Sequence, residues 1–378
     1  MEKIKTRVAV LREMGLARPY SESKPLTIEE VELDPPGKAE VLIKIKAAGL
    51  CHSDLSVIDG NRPRPLPMAL GHEAAGEIVQ LGEDTGNFQV GDHVVFTFLP
   101  SCGHCIYCQT GRPALCEIGA KANGDGTLLG GGRKIHKGED YYYHHLGVSG
   151  FSDYAVASIH SLVKIDKEFP FEIAALFGCA VMTGVGAVVN TADTKAGDSV
   201  LVVGLGGVGL SAILGAKAVG ASKIIGADIS RYKRDAAVGF GAHETIDSSA
   251  SNSLETVQKM TNGGVDVSVE FAGAMPALEF AFDATKRGGT TVTGALPHPD
   301  ARLNLNPLTL VGQEKTLKGC YLGSSVPMRD IPAFLNLYKT DRLPVDKLIS
   351  HRLQLEEINE GFERLAAGDA IRQVIIFD

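Results

Sequence analysis

Four of the chain's seven cysteines crowd into fifteen residues, as Cys102-x2-Cys105-x2-Cys108-x7-Cys116. Four thiolates on one short loop suit a tetrahedral, all-sulfur metal site. Soft sulfur donors select zinc or an iron–sulfur cluster. With every position filled by sulfur, no place is open to a substrate, so such a site folds its lobe rather than reacts. An odd cysteine count, with no secretory signal evident, argues against a disulfide framework.

A second pattern carries nucleotide chemistry. The apolar run 200–203 leads into Gly204-Leu205-Gly206-Gly207-Val208-Gly209. The G-x-G-x-x-G pattern is weak alone, but here a strand precedes it, a helix follows, and an acid lies beyond. Gly204 permits the tight turn, Gly206 lets backbone approach a pyrophosphate, and Gly209 lets the helix pack on the strand. Gly207 and Val208 open that helix, whose free N–H groups attract phosphate. Asp228 follows 19 residues after Gly209 and suits the ribose hydroxyls, which favours NAD over NADP. Its plainer role is that of a strand-end aspartate. Arg231 and Lys233 follow closely and weaken the exclusion of a 2′-phosphate; Lys233 is counted among the cofactor residues.

A third set is dispersed. Cys51 lies in Gly49-Leu50-Cys51-His52-Ser53-Asp54, His72 and Glu73 lie in Gly71-His72-Glu73-Ala74-Ala75-Gly76, and Cys179 lies far downstream. Spacing alone cannot assemble these residues, and a lone buried Cys or His is usually core.

The elements that must position these residues divide the chain. At 378 residues it is long for one core and suggests two domains. The first 180 residues read as β-rich, with strand-like alternation at 8–10, 26–33 and 41–47. A polar, glycine-rich stretch at 123–138 reads as a surface loop, and 141–145 as a loop packing its own aromatics. From 197 to 295, short apolar strands alternate with helices beginning near Gly209, Arg231, Leu254 and Met275, which implies a doubly wound parallel sheet. The last section carries a helix at 331–339 and a strand at 373–377. The expected class is therefore α/β: a β-rich catalytic domain at 1–180 and 322–378, with a Rossmann cofactor domain at 181–321 inserted. The net charge of −8 excludes a basic nucleic-acid footprint. The first fifteen residues lack an apolar secretory core, and no run of 18 apolar residues occurs. A cytoplasmic protein is expected.

Taken in order along essentially the whole chain, these residues resemble the zinc-containing medium-chain alcohol dehydrogenases. The resemblance rests on the GHE motif at Gly71, the four-cysteine lobe, the cysteine before the cofactor domain, the glycine fingerprint with its acid, and the tail Glu357-Ile358-Asn359-Glu360-Gly361-Phe362 with Ile371-Arg372. It implies a GroES-like fold for the first domain, NAD as cofactor and two zinc ions per subunit. Cys102, Cys105, Cys108 and Cys116 would hold the structural zinc. Cys51, His72 and Cys179 would hold the catalytic zinc, a two-cysteine, one-histidine set that is itself a standard example for alcohol dehydrogenase. Glu73 would lie behind that metal as a transient ligand, and Asp54 would receive the far nitrogen of His72. Ser53 would relay the substrate proton, and His52 and Arg372 would meet the cofactor pyrophosphate. Thr183 and Val208 would press on the nicotinamide. Phe98, Leu146 and Ala295 would line the substrate pocket, and closure between the domains would exclude water.

The same resemblance predicts an alcohol or aldehyde substrate and a homodimer, a homotetramer being the other arrangement. The long segment 125–151 resembles the longer, dimeric subfamily. Two departures stand out. Where the mammalian-type relay ends in a histidine, this chain has Ser56, so water or His52 would finish the relay. The alternative activity, glutathione-dependent formaldehyde oxidation, is opposed by Gly60 and Arg62 where acids hold the glutathione amine, and by Gly119-Ala120-Lys121 where an arginine is expected. Arg62 and Arg64, among prolines, read as a solvated loop or as a border favouring an acidic substrate tail. His145 would make the pocket more polar and Ala295 would widen it.

Overall fold

The computed structural model describes residues 4–378, so the first three residues of the N-terminal stretch read for a signal lie outside it. The chain divides into two compact units. The first holds residues up to Cys179, Val326–Leu335 and Ile349–Asp378; the second holds Ala180–Ser325 and Asn336–Leu348.

In the first unit, strands Ile4–Leu11, Leu26–Leu33, Ile135–Lys137, Asp140–His144 and Met68–Ala69 close a barrel. A seven-stranded sheet runs Leu162–Ile165, His93–Phe96, Ala74–Leu81, Glu40–Leu50, Arg372–Ile376 and Ile349–Leu353, with Tyr154–Ser158 also paired to the long 40–50 strand. Alternation explains the barrel wall: Val8 and Val10 face Val31, Leu33, Ala69, Ile135 and Tyr142 in one cluster. Each fully buried aliphatic side chain there contributes about 1.5–3 kcal/mol.

Of the loops expected at 123–138 and 141–145, residues 126–134 are irregular, but the flanks are regular structure. The helix Glu117–Asp125 overlaps the start of the first, and two barrel strands occupy 135–144. The physical reason is a period of two within the aromatic run: Tyr142 and His144 point inward and are buried, while Tyr141 is exposed. Arg12 donates to the Tyr142 hydroxyl at 2.7 Å, so the buried ring keeps a polar partner.

The second unit is a six-stranded parallel sheet in the order Glu244–Asp247, Lys223–Asp228, Ser199–Val203, Val265–Glu270, Thr285–Thr293 and Thr316–Gly319. Helices Gly207–Val219, Arg231–Phe240, Ser253–Met260 and Met275–Ala284 connect its strands. Near-continuous apolar strands are what a sheet covered on both faces requires; Leu201, Val203, Ile225, Ala227 and Val265 form its core with Ala281 and Ala284. The return to the first unit is more broken than a single crossing at 322. Residues 336–348 belong to the second unit, where Leu343, Val345 and Leu348 are buried.

Candidate active site and metal centres

The long strand Glu40–Leu50 delivers Cys51 to the start of the helix His52–Ile58, where Cys51 is the extended N-cap residue. His72 and Glu73 sit just before strand Ala74–Leu81. Gly71 makes their approach possible: its φ is +97°, and a Cβ there would press on the Phe151 nitrogen at 2.5 Å. Cys179 follows the helix Phe171–Leu176. Residues scattered over 128 positions thus bring four ligand atoms within 4.8 Å of one another, all buried.

The donor set fits a zinc ion on the chemistry of its own atoms. Two thiols, an imidazole and a carboxylate converge, and His72 Nε2 and Glu73 Oε1 are buried with no hydrogen-bond partner. Burial pushes the Glu73 carboxyl up to about 7, against the pull of the Arg372 guanidinium. Glu73 Oε2 accepts from Arg372 Nη2 at 3.1 Å, and Arg372 Nη1 donates to the Leu50 carbonyl at 2.9 Å. Hydrogen bonding between the two thiols holds Cys51 well below its ordinary range and pushes Cys179 up.

Asp54, predicted as the acceptor for His72, is fully buried with its Oδ2 3.0 Å from His72 Nδ1. Burial opposes its charge, but the His72 and His145 imidazoles hold it below the usual carboxylate range. Burial likewise opposes charge on His72, and the Asp54 carboxylate more than reverses that. Sequence reasoning missed the third partner. His145 Nδ1 lies 3.1 Å from Asp54 Oδ1, and its ring meets His72 edge-on at 5.6 Å. Both contacts with Asp54 are oblique, the ring N–H lying off the line to the oxygen. No local spacing links position 145 to 54, and the resemblance marked His145 only as a residue that would make the pocket more polar.

Phe98 is buried and also meets the His72 ring edge-on, at 5.5 Å. Leu146 is buried at φ +53°. Ala295 belongs to the second unit, half-buried beyond strand Thr285–Thr293. Ser53 is half-buried and His52 exposed on the first turn of their helix. Ser56 donates its hydroxyl to the His52 carbonyl at 2.8 Å, so its side chain is spent on its own helix. Arg64 donates to the Asn123 carbonyl at 3.2 Å, which ties the proline-rich loop to the lobe helix.

The four lobe cysteines also bring their sulfurs within 4.8 Å. Backbone N–H groups of Cys102 and Gly119 donate to the Cys116 sulfur and that of Cys105 to the Cys102 sulfur, each at 3.3 Å. A hydrogen bond with the Cys108 backbone is the main cause that lowers the Cys105 thiol to about 6, while burial raises Cys108 to about 12. Sulfurs already receiving N–H donors suit thiolate ligation.

In the second unit, Gly204 has φ +89° and would clash with the Ala272 nitrogen if it carried a Cβ. At Gly206 a Cβ would meet nothing within 4 Å, which leaves an open cradle at the N-terminus of helix Gly207–Val219. Gly209 abuts the Gly204 carbonyl, and Gly184 beside the buried Thr183 abuts that of Val208, so the 180–186 helix packs closely on the fingerprint. Asp228 accepts from the Leu205 and Ser230 nitrogens, both at 2.8 Å. Lys233 is half-buried on the next helix. Arg234, also missed, donates to the Asp228 carbonyl at 2.8 Å.

Fold and donor sets together define a two-unit α/β dehydrogenase architecture. A family model described as an alcohol dehydrogenase GroES-like domain matches residues 37–167, and one described as a zinc-binding dehydrogenase matches 207–340. The chain is 39% identical to the NDMA-dependent alcohol dehydrogenase of Amycolatopsis methanolica, over 99% of each chain. A zinc-binding-domain alcohol dehydrogenase protein from Burkholderia ambifaria superposes with a TM-score of 0.94 at 31% identity, covering 100% of both chains. The benzyl alcohol dehydrogenase of Acinetobacter calcoaceticus does so at 0.92 and 30%, covering 99% of this chain and 100% of its own. The chain belongs to the zinc-binding alcohol dehydrogenase family of the medium-chain dehydrogenase/reductase superfamily, and it is an oxidoreductase. The glutathione-dependent reading is not favoured by these relatives.

Proposed function

We propose that the protein reversibly oxidises a primary or secondary alcohol to an aldehyde or ketone with NAD, using one catalytic and one structural zinc. The observation that carries this is the buried convergence of Cys51, His72, Glu73 and Cys179. Cys51, His72 and Cys179 would hold the catalytic metal, and Glu73, with one unpartnered oxygen, would be its intermittent fourth ligand. When bound, zinc supplies Lewis acidity at the alcohol oxygen, and NAD supplies the hydride acceptor.

The chain's own residues do the rest. Asp54 holds the proton on His72 Nδ1 and so leaves Nε2 free to ligate. Ser53 Oγ takes the alcohol proton and passes it outward to the exposed His52 or to water, since Ser56 is engaged elsewhere. Arg372 neutralises Glu73 and keeps Nε, which has no partner, for a cofactor phosphate. Phe98 and Leu146 exclude water from the metal side of the pocket. Gly204 to Gly209 cradle the pyrophosphate, Asp228 receives the ribose with Lys233 nearby, and Thr183 and Val208 support the nicotinamide.

The benzyl alcohol specificity in the name of one structural neighbour supports an aromatic primary alcohol as the first substrate to try. A homodimer is supported by the open edge strand Thr316–Gly319 and by the exposed Leu308 and Val311 on the helix before it; sedimentation measures it. No helix among the described residues is long and apolar enough to cross a membrane, and we place the enzyme in the cytoplasm.

The test is an alcohol panel scored with NAD, NADP and NDMA as acceptors, together with metal analysis. NAD reduction by an aromatic or aliphatic alcohol and two zinc ions per chain are expected. Turnover with NDMA alone would replace free NAD as the oxidant, and stoichiometric iron or a single zinc would refute the metal assignment.

A further inference from the structure

Asp54 is a fully buried carboxylate, and such a group needs several donors to remain charged. Three groups face it, from two segments, and of these the Gly71 N–H is aligned as a hydrogen bond while the two imidazoles approach obliquely. Gly71 N–H donates to Oδ1 at 3.3 Å, His145 Nδ1 faces the same oxygen at 3.1 Å, and His72 Nδ1 faces Oδ2 at 3.0 Å. The two oxygens are therefore held from different sides, and a carboxylate turned to serve one imidazole better loses the other. His145 is itself fixed without reference to any metal. Its N–H donates to Ser149 Oγ at 3.1 Å, and its carbonyl accepts from the Val148 and Ser149 nitrogens at 3.1 and 3.3 Å. That turn places Leu146, Gly147 and Ser149 at φ +53°, +67° and +52°. Non-glycine residues in this region persist only where surrounding contacts over-determine the backbone.

We propose that His145 is a positioning residue of the catalytic metal site: by sharing Asp54 with His72 it fixes the carboxylate that aims the ligating imidazole. This rests on the reading of Cys51, His72 and Cys179 as the metal site. The His72 ring thus has two edge-on neighbours, Phe98 at 5.5 Å and His145 at 5.6 Å.

The test follows zinc release from the zinc-loaded protein to a chromogenic chelator. The metal-site reading is checked separately: wild type should hold two zinc ions and Cys51→Ala one, and an unchanged count in Cys51→Ala sinks that reading. For the inference, His145→Phe keeps a ring but loses the donor, His145→Asn returns an amide N–H where Nδ1 stands, and His145→Gln puts it at the far end. One zinc should leave His145→Phe and His145→Gln about 10–100-fold faster than wild type, the other zinc at its usual rate, and His145→Asn should stay within about threefold of wild type. Should the Phe variant fail to fold, the Asn and Gln pair decides. Wild-type release from Phe and Gln, equal acceleration of both zincs, equal behaviour of Asn and Gln, or a third zinc lost with His145 would overturn the proposal.

Discussion

The two clusters proposed as metal ligands solve the same problem from opposite ends. The cysteine lobe draws four sulfurs from fifteen consecutive residues, two of them only half-buried. The Cys51–His72–Glu73–Cys179 cluster draws four different donors from segments up to 128 positions apart, all buried. A short loop closes at little entropic expense, so the lobe can gather its ligands locally. The dispersed cluster exists only once strand Glu40–Leu50, strand Ala74–Leu81 and helix Phe171–Leu176 are in place. In return it has mixed donors, an unpartnered carboxylate oxygen and a backing carboxylate shared by two imidazoles. A saturated sulfur site stabilises structure; a site with an unused oxygen can exchange ligands.

The strongest way to break this contrast is Cys51→Ala. Loss of the metal's Lewis acidity should lower turnover by about a thousandfold or more while cofactor affinity is kept. Steady-state rates and cofactor titration measure both, and substantial retained turnover would mean that the dispersed cluster is not the reactive one. Cys116→Ala should do the converse. One zinc is lost, the melting temperature falls by on the order of 10 °C, and the second zinc stays bound at the catalytic cluster. If calorimetry shows no drop, the lobe does not serve stability.

A third test sharpens the role of the segment behind the dispersed site. His144, next to His145, is fully buried, accepts from the Lys134 backbone nitrogen at 3.0 Å, and is pushed down to about 3, first by burial and then by the Lys134 and Arg133 charges. Its folded pKa lies below its ordinary 6.5, so the unfolded chain takes the proton first. Its neutral form is tolerated in full above about pH 6.5, and stability falls by about 1.4 kcal/mol per pH unit below that. Urea melts at pH 7 and 5 should show this slope in wild type and a shallower one in His144→Gln; parallel slopes would remove His144 from the account.

The smallest effect concerns the other locally encoded site. Asp228→Gly should narrow the preference for NAD over NADP by about tenfold, or about 1.4 kcal/mol, read from the two KM values. An unchanged ratio would leave Asp228 as the strand-end residue that holds the Leu205 and Ser230 nitrogens.

What the sequence determined by itself was whatever short range physics encodes. The lobe spacing gave four sulfurs on one loop. The apolar runs gave the parallel strands of the second unit, and Gly204, Gly206 and Gly209 stand where a turn, an open cradle and a close contact require them. The dispersed ligands became legible only through resemblance to a family, because nothing in the spacing of residues 51, 72, 73 and 179 says that they meet. The barrel strands at 135–144 were obscured by glycines on either side, and the three identical letters at 141–143 carry no alternation; only their burial separates Tyr142 from Tyr141. Tertiary structure alone decided that His145 joins His72 beside Asp54. A buried carboxylate meets whichever polar groups the fold brings to it, and one of them, His145 at 3.1 Å, comes from a turn 91 positions away.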